Sequence, residues 1–387
     1  MMKNYLKNKF LEQYKAEPEL YLSCGGRFEV LGNHTDHNHG LCMAATCSLS
    51  IFASIKRRDD LLVHLYSEGF TESTIDLSNL DKNDDIKGKP DALVKGVAAY
   101  LAKEYKIGGF DIYIKSQIPG GAGVSSSAAF ELLFAQAFNK LFNNEQIPLM
   151  TLCKASQFAE REYYGKMCGL LDQIGVAYGG LVYIDFEDIA NPVVKPLKVT
   201  LENYSFVIVN SGGSHAGLDH LYKAIPDDMY KVAHYFEKEY LREVEEAEVI
   251  KNKQDVIDKC GELAYERALH FFGENRRVKE AFDAIKKGEL DVLIRLMNES
   301  RMSSTDLLHN MYVENKQGSP LEACELIIKS SREKAGVKIN GGGFAGSVIA
   351  LVPNDELDNV LKETKAKYGE HNVHLVNIRN EIPSELK

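Results

Sequence analysis

Ile118-Pro-Gly-Gly-Ala-Gly-Val-Ser-Ser-Ser-Ala-Ala-Phe130 joins a strand-like run, Phe110–Lys115, to an amphipathic helical one, Ser126–Leu141. Its glycines let the backbone approach an anion closely, and the first free N–H groups of the following helix point at that anion. Three serines add hydroxyls suited to phosphate or Mg²⁺. The loop is not a Walker A motif, because no G-K-[ST] follows. It is not a dinucleotide fingerprint, because Ser126 stands where the third glycine belongs. Nor does it hold a G-x-S-x-G elbow. A plain glycine turn with serine helix caps is the simpler alternative. Proline, several small residues and three serines in one turn favour anion binding.

Outward from this loop, strand-like and helix-like segments alternate. Phe28–Leu31, Ser50–Arg57 and Asp60–Leu65 are short and rich in β-branched and aromatic residues, so they read as strands. Asp91–Glu104 carries an apolar stripe at Leu93, Val94, Val97, Ala98 and Leu101, and Met150–Tyr164 repeats that helical spacing. Strands follow at Gly180–Asp185 and Phe206–Asn210, with a loop-like stretch over 187–203 between them. A long charged helical region spans Asp228–Gly273, and two or three further helices lie between Val278 and Lys334. Strands at Gly336–Ile339, Ser347–Leu351 and His374–Val376 close the chain. The pattern predicts a two-domain α+β protein, with domains at 1–195 and 196–387.

The 387 residues suffice for two domains, and 44% hydrophobic with 26% charged residues is ordinary for a soluble globular chain. Forty-six Lys+Arg against 56 Asp+Glu give a net charge of −10, without a basic tract, which argues against nonspecific nucleic-acid binding. No apolar run has the length of a membrane span, and the first residues lack the form of a signal peptide. Seven scattered cysteines without a C-x-x-C pair suit reduced thiols better than disulfides or structural zinc. A cytoplasmic protein with no nucleic-acid or membrane partner is expected.

Three more segments carry candidate chemistry. Gly25–Gly40 packs Arg27, His34, Asp36, His37 and His39 behind a strand-like run, as a binding loop would. Its H-x-D-H run also partly resembles a metallo-hydrolase ligand loop, although Gly32 stands where a further histidine is needed. Chance histidines in a polar turn would look the same. In Ala159–Gly175, Glu160 lies on a helix and Asp172 sits among Gly169, Leu170, Leu171 and Ile174. A carboxylate in apolar company is paired, functional, or a helix cap. Lys338-Ile-Asn-Gly-Gly-Gly-Phe-Ala-Gly-Ser347 spells G-x-G-x-x-G, but a strand follows instead of a helix, so the dinucleotide reading fails.

Taken in order, the four segments resemble the GHMP small-molecule kinases, and within them the galactokinases. The first resembles G-R-x-N-L-x-G-E-H-x-D-Y, the second P-x-G-x-G-L-S-S-S-A, the third C-G-x-x-D-Q and the fourth G-G-G-F-G-G, from about Gly25 to Val352. The resemblance implies an N-terminal α+β domain, a ferredoxin-like C-terminal domain, and an active site in the cleft between them. It implies ATP and Mg²⁺, a small-molecule sugar as acceptor, and transfer to the anomeric hydroxyl of galactose. By position it implies Asp172 as catalytic base, supported by Arg27. Gly121, Ala122, Gly123, Val124, Ser125, Ser126 and Ser127 would surround the ATP phosphates, with Ser127 and Glu160 as Mg²⁺ ligands. Asn33, His34, Thr35, Asp36 and Tyr222 would contact the sugar, Tyr222 through the spacing in His215–Tyr222.

Several positions depart from the pattern. Asn33 replaces the signature glutamate, Glu29 the asparagine, His37 the tyrosine, and Ala345 a glycine; no basic run follows Tyr222. Loss of the glutamate removes a charge that would repel a C6 carboxylate, and a charged His37 would attract one. A galacturonate kinase is therefore the leading alternative to a galactose kinase, unless Glu29 compensates. A metallo-hydrolase centred on His34, Asp36, His37 and His39, and a silent sugar sensor, rank lower.

Overall fold

In the computed structural model, which describes residues 1–213, 217–313 and 318–386, the chain is built on two sheets. The first begins with β1 (Leu20–Leu31), β2 (Leu41–Arg57), β3 (Leu62–Ser67), β4 (Ser73–Asp76), β5 (Phe110–Ser116), β6 (Leu181–Asp185) and β7 (Val193–Leu197). The 17-residue β2 is its spine. One edge pairs antiparallel with β1; the other pairs with β6 over Leu41–Ala45 and with β5 over Ile51–Arg57. β3 joins β5 in parallel and carries β4 at the outer edge, while β7 extends β6.

The second sheet holds β8 (Tyr204–Asn210), β9 (Gly336–Asn340), β10 (Ser347–Pro353) and β11 (Val373–Val376) in the order β11-β8-β10-β9, all antiparallel. The unit's fourth strand beside its first, then its third and second, is a ferredoxin-like order. Helices from Asp219 to Ser330 fill the crossover from β8 to β9. The chain then returns: β12 (Ser384–Glu385) pairs with Leu22 and Ser23 of β1. A boundary at 195/196 falls inside β7, so the first sheet takes strands from both sides of it.

Helices Ser126–Asn143 and Leu171–Ala177 bury apolar stripes against β1 and β2 of the first sheet, and Pro90–Leu101 and Leu149–Phe158 pack with them in the same core. A second core joins the two sheets: Phe28, Leu31 and Met43 pack with Phe206, Ile208, Ile349 and Leu351. The helical region expected over Asp228–Gly273 is divided into Asp219–Tyr235, Glu246–Lys251, Lys253–Cys260 and Glu262–Lys287. Glu237 (φ 57°) and Gly261 (φ 100°) make two of the three breaks, since a left-handed residue cannot continue a right-handed helix; the third, at Asn252, has ordinary backbone (φ −97°). The expected helix Met150–Tyr164 is α-helical only to Phe158; Ala159–Tyr164 forms a wider π turn. All seven cysteines are free thiols, and among the described residues no helix is long and apolar enough to cross a membrane.

Phe28 (0% exposed) and Phe206 (2%) pack across the sheet interface with ring centroids 4.7 Å apart and planes tilted by 45°. Truncating Phe28 to Ala should lower stability by about 3–5 kcal/mol, read as a fall in the urea midpoint at unchanged slope.

Candidate active site

The glycine–serine loop leads from the core shared by the two sheets into the helix Ser126–Asn143. Ala122 and Val124 are 2% and 1% exposed and anchor the loop in the core between the sheets, while Gly121, Gly123 and Ser126 are exposed and Ser125 and Ser127 are half-buried. Gly123 has φ +71°, and a Cβ there would come within 1.8 Å of Ser347 Oγ, so no other residue fits. The next helix starts at Ser126. Its N-cap, Ser125, is held left-handed (φ 53°) and makes no side-chain cap bond, because its hydroxyl donates to Asp172 Oδ2 instead. Such a backbone is strained by about 1–3 kcal/mol. The helix's first N–H groups are thereby left for an anion.

Asp172, on the first turn of the helix Leu171–Ala177, is held from two sides. Arg27, on β1, donates from Nε (2.7 Å) and Nη2 (2.6 Å) to Oδ1, and from Nη1 to the Gly123 carbonyl at 2.8 Å. Asn340 on β9 donates to the same carbonyl at 3.0 Å. Burial alone would push the Asp172 carboxyl up; Arg27, the Ser125 hydroxyl and Lys166 outweigh it and hold it below its ordinary value. Asp172 is thus an ionised acceptor with its side chain 27% exposed.

Glu160 projects inward from the π turn, 2% exposed. Ser127 Oγ donates to its Oε1 at 3.1 Å, Lys166 Nζ reaches the same oxygen at 2.7 Å, and Gln173 Nε2 donates to Oε2 at 3.1 Å. The π turn curls the chain back so that the Gly165 and Lys166 amides both bond the Glu160 carbonyl. A hydroxyl and a carboxylate side by side at the phosphate loop fit Mg²⁺, which takes few protein oxygens and completes its shell with phosphate and water.

The loop 33–40 is organised differently from the sequence expectation. Asn33 is 1% exposed, and both its N–H groups are engaged, by Glu29 Oε1 (3.0 Å) and the Gly341 carbonyl (2.8 Å). Its Oδ1 accepts from Asn310 at 2.9 Å. Thr35 is fully buried, with its hydroxyl on the Gly32 and Leu41 carbonyls. These two residues hold the loop together instead of facing the cleft. Glu29 in turn lies 2.8 Å from Lys338 Nζ, an ion pair buried between β1 and β9. His34 reaches the Gly342 carbonyl at 2.8 Å, and Tyr222 donates to the Gly343 carbonyl at 2.6 Å. The fourth segment therefore lies between two residues expected at the sugar. His215 lies outside the described residues. Asp36 packs against Gly169; burial, then the charges of Glu29 and Asp172, push its carboxyl up to about 6.

The histidines do not converge on one point. His37 Nδ1 meets Asn38, and His39 stacks on Tyr240 with ring centroids 3.7 Å apart. Burial, then His34 and His270, hold His37 well below its ordinary value, so it is neutral and not the charge expected near C6. Among the described residues, no group of three His, Cys, Asp or Glu is placed to hold a metal ion.

Sequence reasoning missed Lys166, Gln173 and Asn340. Gln173 stands beside Asp172 in the third motif, but nothing local showed that its amide turns back to Glu160. Lys338 and Asn340 adjoin the fourth motif, and their partners on β1 are about 310 positions distant.

Two family models match the chain: the galactokinase galactose-binding signature over residues 8–57, and the GHMP kinases N-terminal domain over 92–180. A galactokinase from Fusobacterium nucleatum is 31% identical over 96% of this chain and 95% of its own length. One from Glaesserella parasuis is 30% identical over 89% of this chain and 88% of its own. Among solved structures, Lactococcus lactis galactokinase in complex with galactose superposes over 100% of both chains at 26% identity and a TM-score of 0.85. The Methanococcus jannaschii mevalonate kinase shares the fold, at 18% identity and a TM-score of 0.66 over 93% of this chain and 98% of its own. At 31% identity over nearly the full length of both chains, the chain belongs to the galactokinase family of GHMP kinases.

Proposed function

We propose that the chain transfers the terminal phosphoryl group of ATP to the C1 hydroxyl of galactose, giving galactose 1-phosphate and ADP. The observation that carries the reading is Asp172, tied through Ser125 to the start of the phosphate-loop helix and through Arg27 to the carbonyl of Gly123. A base anchored to the phosphate loop from both sides holds an acceptor hydroxyl in line with a bound terminal phosphate. Asp172 takes the C1 hydroxyl proton as that oxygen bonds to phosphorus, and the bond from phosphorus to the ADP oxygen breaks. Arg27 keeps Asp172 ionised, and its guanidinium lies between the base and the loop to offset charge developing on the phosphoryl group. Ser127 and Glu160 would hold Mg²⁺, which would supply charge neutralisation on the phosphates. The free thiols suit the reducing cytoplasm.

Galactose is favoured over galacturonate, because the loop keeps no donor for a C6 carboxylate at position 33. Asn33 is buried with both N–H groups engaged by Glu29 and Gly341, and the nearby Lys338 is paired with Glu29. His37 adds no positive charge.

Three outcomes are expected. Asp172→Asn should lower kcat about 10²–10⁴-fold while leaving the KM for galactose within a few-fold, measured by ADP release. Wild type should turn over galactose and show no ADP release with galacturonate. The KM for galactose should rise as pH falls below about 6, where Asp36 takes up a proton, loses its charge and turns one acceptor oxygen into an O–H donor, weakening the hydrogen bonds it accepts from sugar hydroxyls. In Asp36→Asn that step should vanish and KM stay high at every pH.

A further inference from the structure

Asn310 is 0% exposed and follows a second π turn, Ser304–Leu308. His309, left-handed at φ 58°, ends that turn and lets the Asn310 N–H close on the Ser304 carbonyl at 3.2 Å. The Asn310 side chain then lies between the sugar loop and the fourth segment. Its NH₂ group donates to two acceptors, Asn33 Oδ1 at 2.9 Å and the Gly342 carbonyl at 3.2 Å. The Asn310 carbonyl accepts from the Phe344 N–H. Its Oδ1 is buried and has no donor among the described residues. A buried oxygen left so is costly, yet turning the amide over would set it against two other oxygens. The side chain is therefore placed by its donors.

Those donors hold one wall of the sugar site. The Gly342 carbonyl also accepts from His34 Nε2 at 2.8 Å, so both its lone pairs are used. Tyr222 donates to the next carbonyl, that of Gly343, at 2.6 Å. Glycine at 343 is what lets the loop meet Asn310: its φ is +85°, and a Cβ there would come within 2.5 Å of Asn310 Nδ2 and of the Asn310 carbonyl oxygen. Phe344, left-handed at φ 60°, sets its ring edge-on to Tyr222 with centroids 5.3 Å apart. Residues 342–344 thus carry His34 and Tyr222 on one side and rest on Asn310 on the other.

We propose that Asn310 is a positioning residue for galactose affinity: by fixing Gly342–Phe344 against Asn33 it sets where His34 and Tyr222 stand, without touching the sugar. The proposal rests on the reading of those two residues as sugar contacts. Without the two donated bonds the loop samples other positions, and only the fraction in the present one binds sugar, so the KM for galactose rises by the inverse of that fraction. Asp172, Arg27 and Ser125 are anchored elsewhere, on one another, Gly123 and the phosphate-loop helix, so kcat and the KM for ATP are unaffected.

The test measures kcat and both KM values by ADP release in Asn310→Leu, which keeps the side chain's size and loses both donors. Asn310→Ala is made alongside and decides the matter where the leucine variant does not fold. Either should raise the KM for galactose about 5- to 100-fold, the equivalent of two hydrogen bonds, with kcat and the KM for ATP within about threefold of wild type. Ile327→Ala is the control for lost stability, since Ile327 is 0% exposed in the core on the opposite face of the second sheet. Its Tm should fall while its KM for galactose stays at the wild-type value. A wild-type KM for galactose in the Asn310 variant, equal damage to kcat and the KM for ATP, or the same rise in Ile327→Ala overturns the proposal. His34→Ala is then added to the Asn310 variant. Because both act through Gly342, the double variant should bind galactose within about threefold of the weaker single, and losses that multiply overturn the shared loop. A wild-type KM for galactose in both His34→Ala and Tyr222→Phe overturns the sugar-contact reading beneath the proposal.

Discussion

The pairing of Arg27 with Asp172 connects the parts of the structure that bear on function. Arg27 comes from the irregular middle of β1, Asp172 from the first turn of a helix 145 positions later, and Gly123 accepts from the same guanidinium. Strand, helix and phosphate loop therefore meet at one cation. The position of that cation has a backbone cause. A Cβ at Gly26 would collide with the Val124 carbonyl at 2.4 Å, so β1 can approach the loop closely enough for Arg27 N–H to bond that carbonyl at 2.9 Å. The electrostatics follow from the geometry. Burial opposes charge on Asp172, and two directed donors with a nearby lysine reverse the balance.

A second constraint is the buried ion pair of Glu29 and Lys338, which ties β1 to β9. Asn33 hangs on Glu29, Asn310 on Asn33, and His270 Nε2 reaches the same loop at the Asn33 carbonyl, 3.0 Å away. Burial pushes His270 down to about 4, so it is neutral and acts as the N–H donor to that carbonyl. The exchange of residue types at 29 and 33 relative to the galactokinase signature thus leaves one carboxylate in this pocket, neutralised by Lys338. Reading position 33 alone suggested a lost charge. Reading it with position 29 and the lysine shows a relocated one.

Much of the architecture was legible because its signals are local. Strand runs such as Phe110–Lys115, the helical stripe from Leu93 to Leu101, and the glycine–serine loop each declare themselves within a dozen residues. The joining of Arg27, Asp172 and the loop was legible only through the order of four motifs. What stayed hidden depends on distant partners or on unusual backbone. The π turn at Ala159–Tyr164 has ordinary helical letters, and two of the three breaks after Asp219 depend on left-handed residues. Asn33 and Thr35 were expected at the sugar only because they match the family's motif; here the loop's own carbonyls and residues on the second sheet's side engage their hydrogen-bonding groups.

The central claim is that Arg27 and Ser125 hold Asp172 as an ionised base against the pull of burial. The most direct test is the pH dependence of the single-turnover phosphoryl-transfer rate, at saturating ATP and galactose, in wild type and Arg27→Gln. Without the guanidinium, burial should dominate and carry the acid limb of the profile upward toward neutrality, with much of the lost rate recovered at higher pH. An acid limb that stays where it is in wild type would contradict the account.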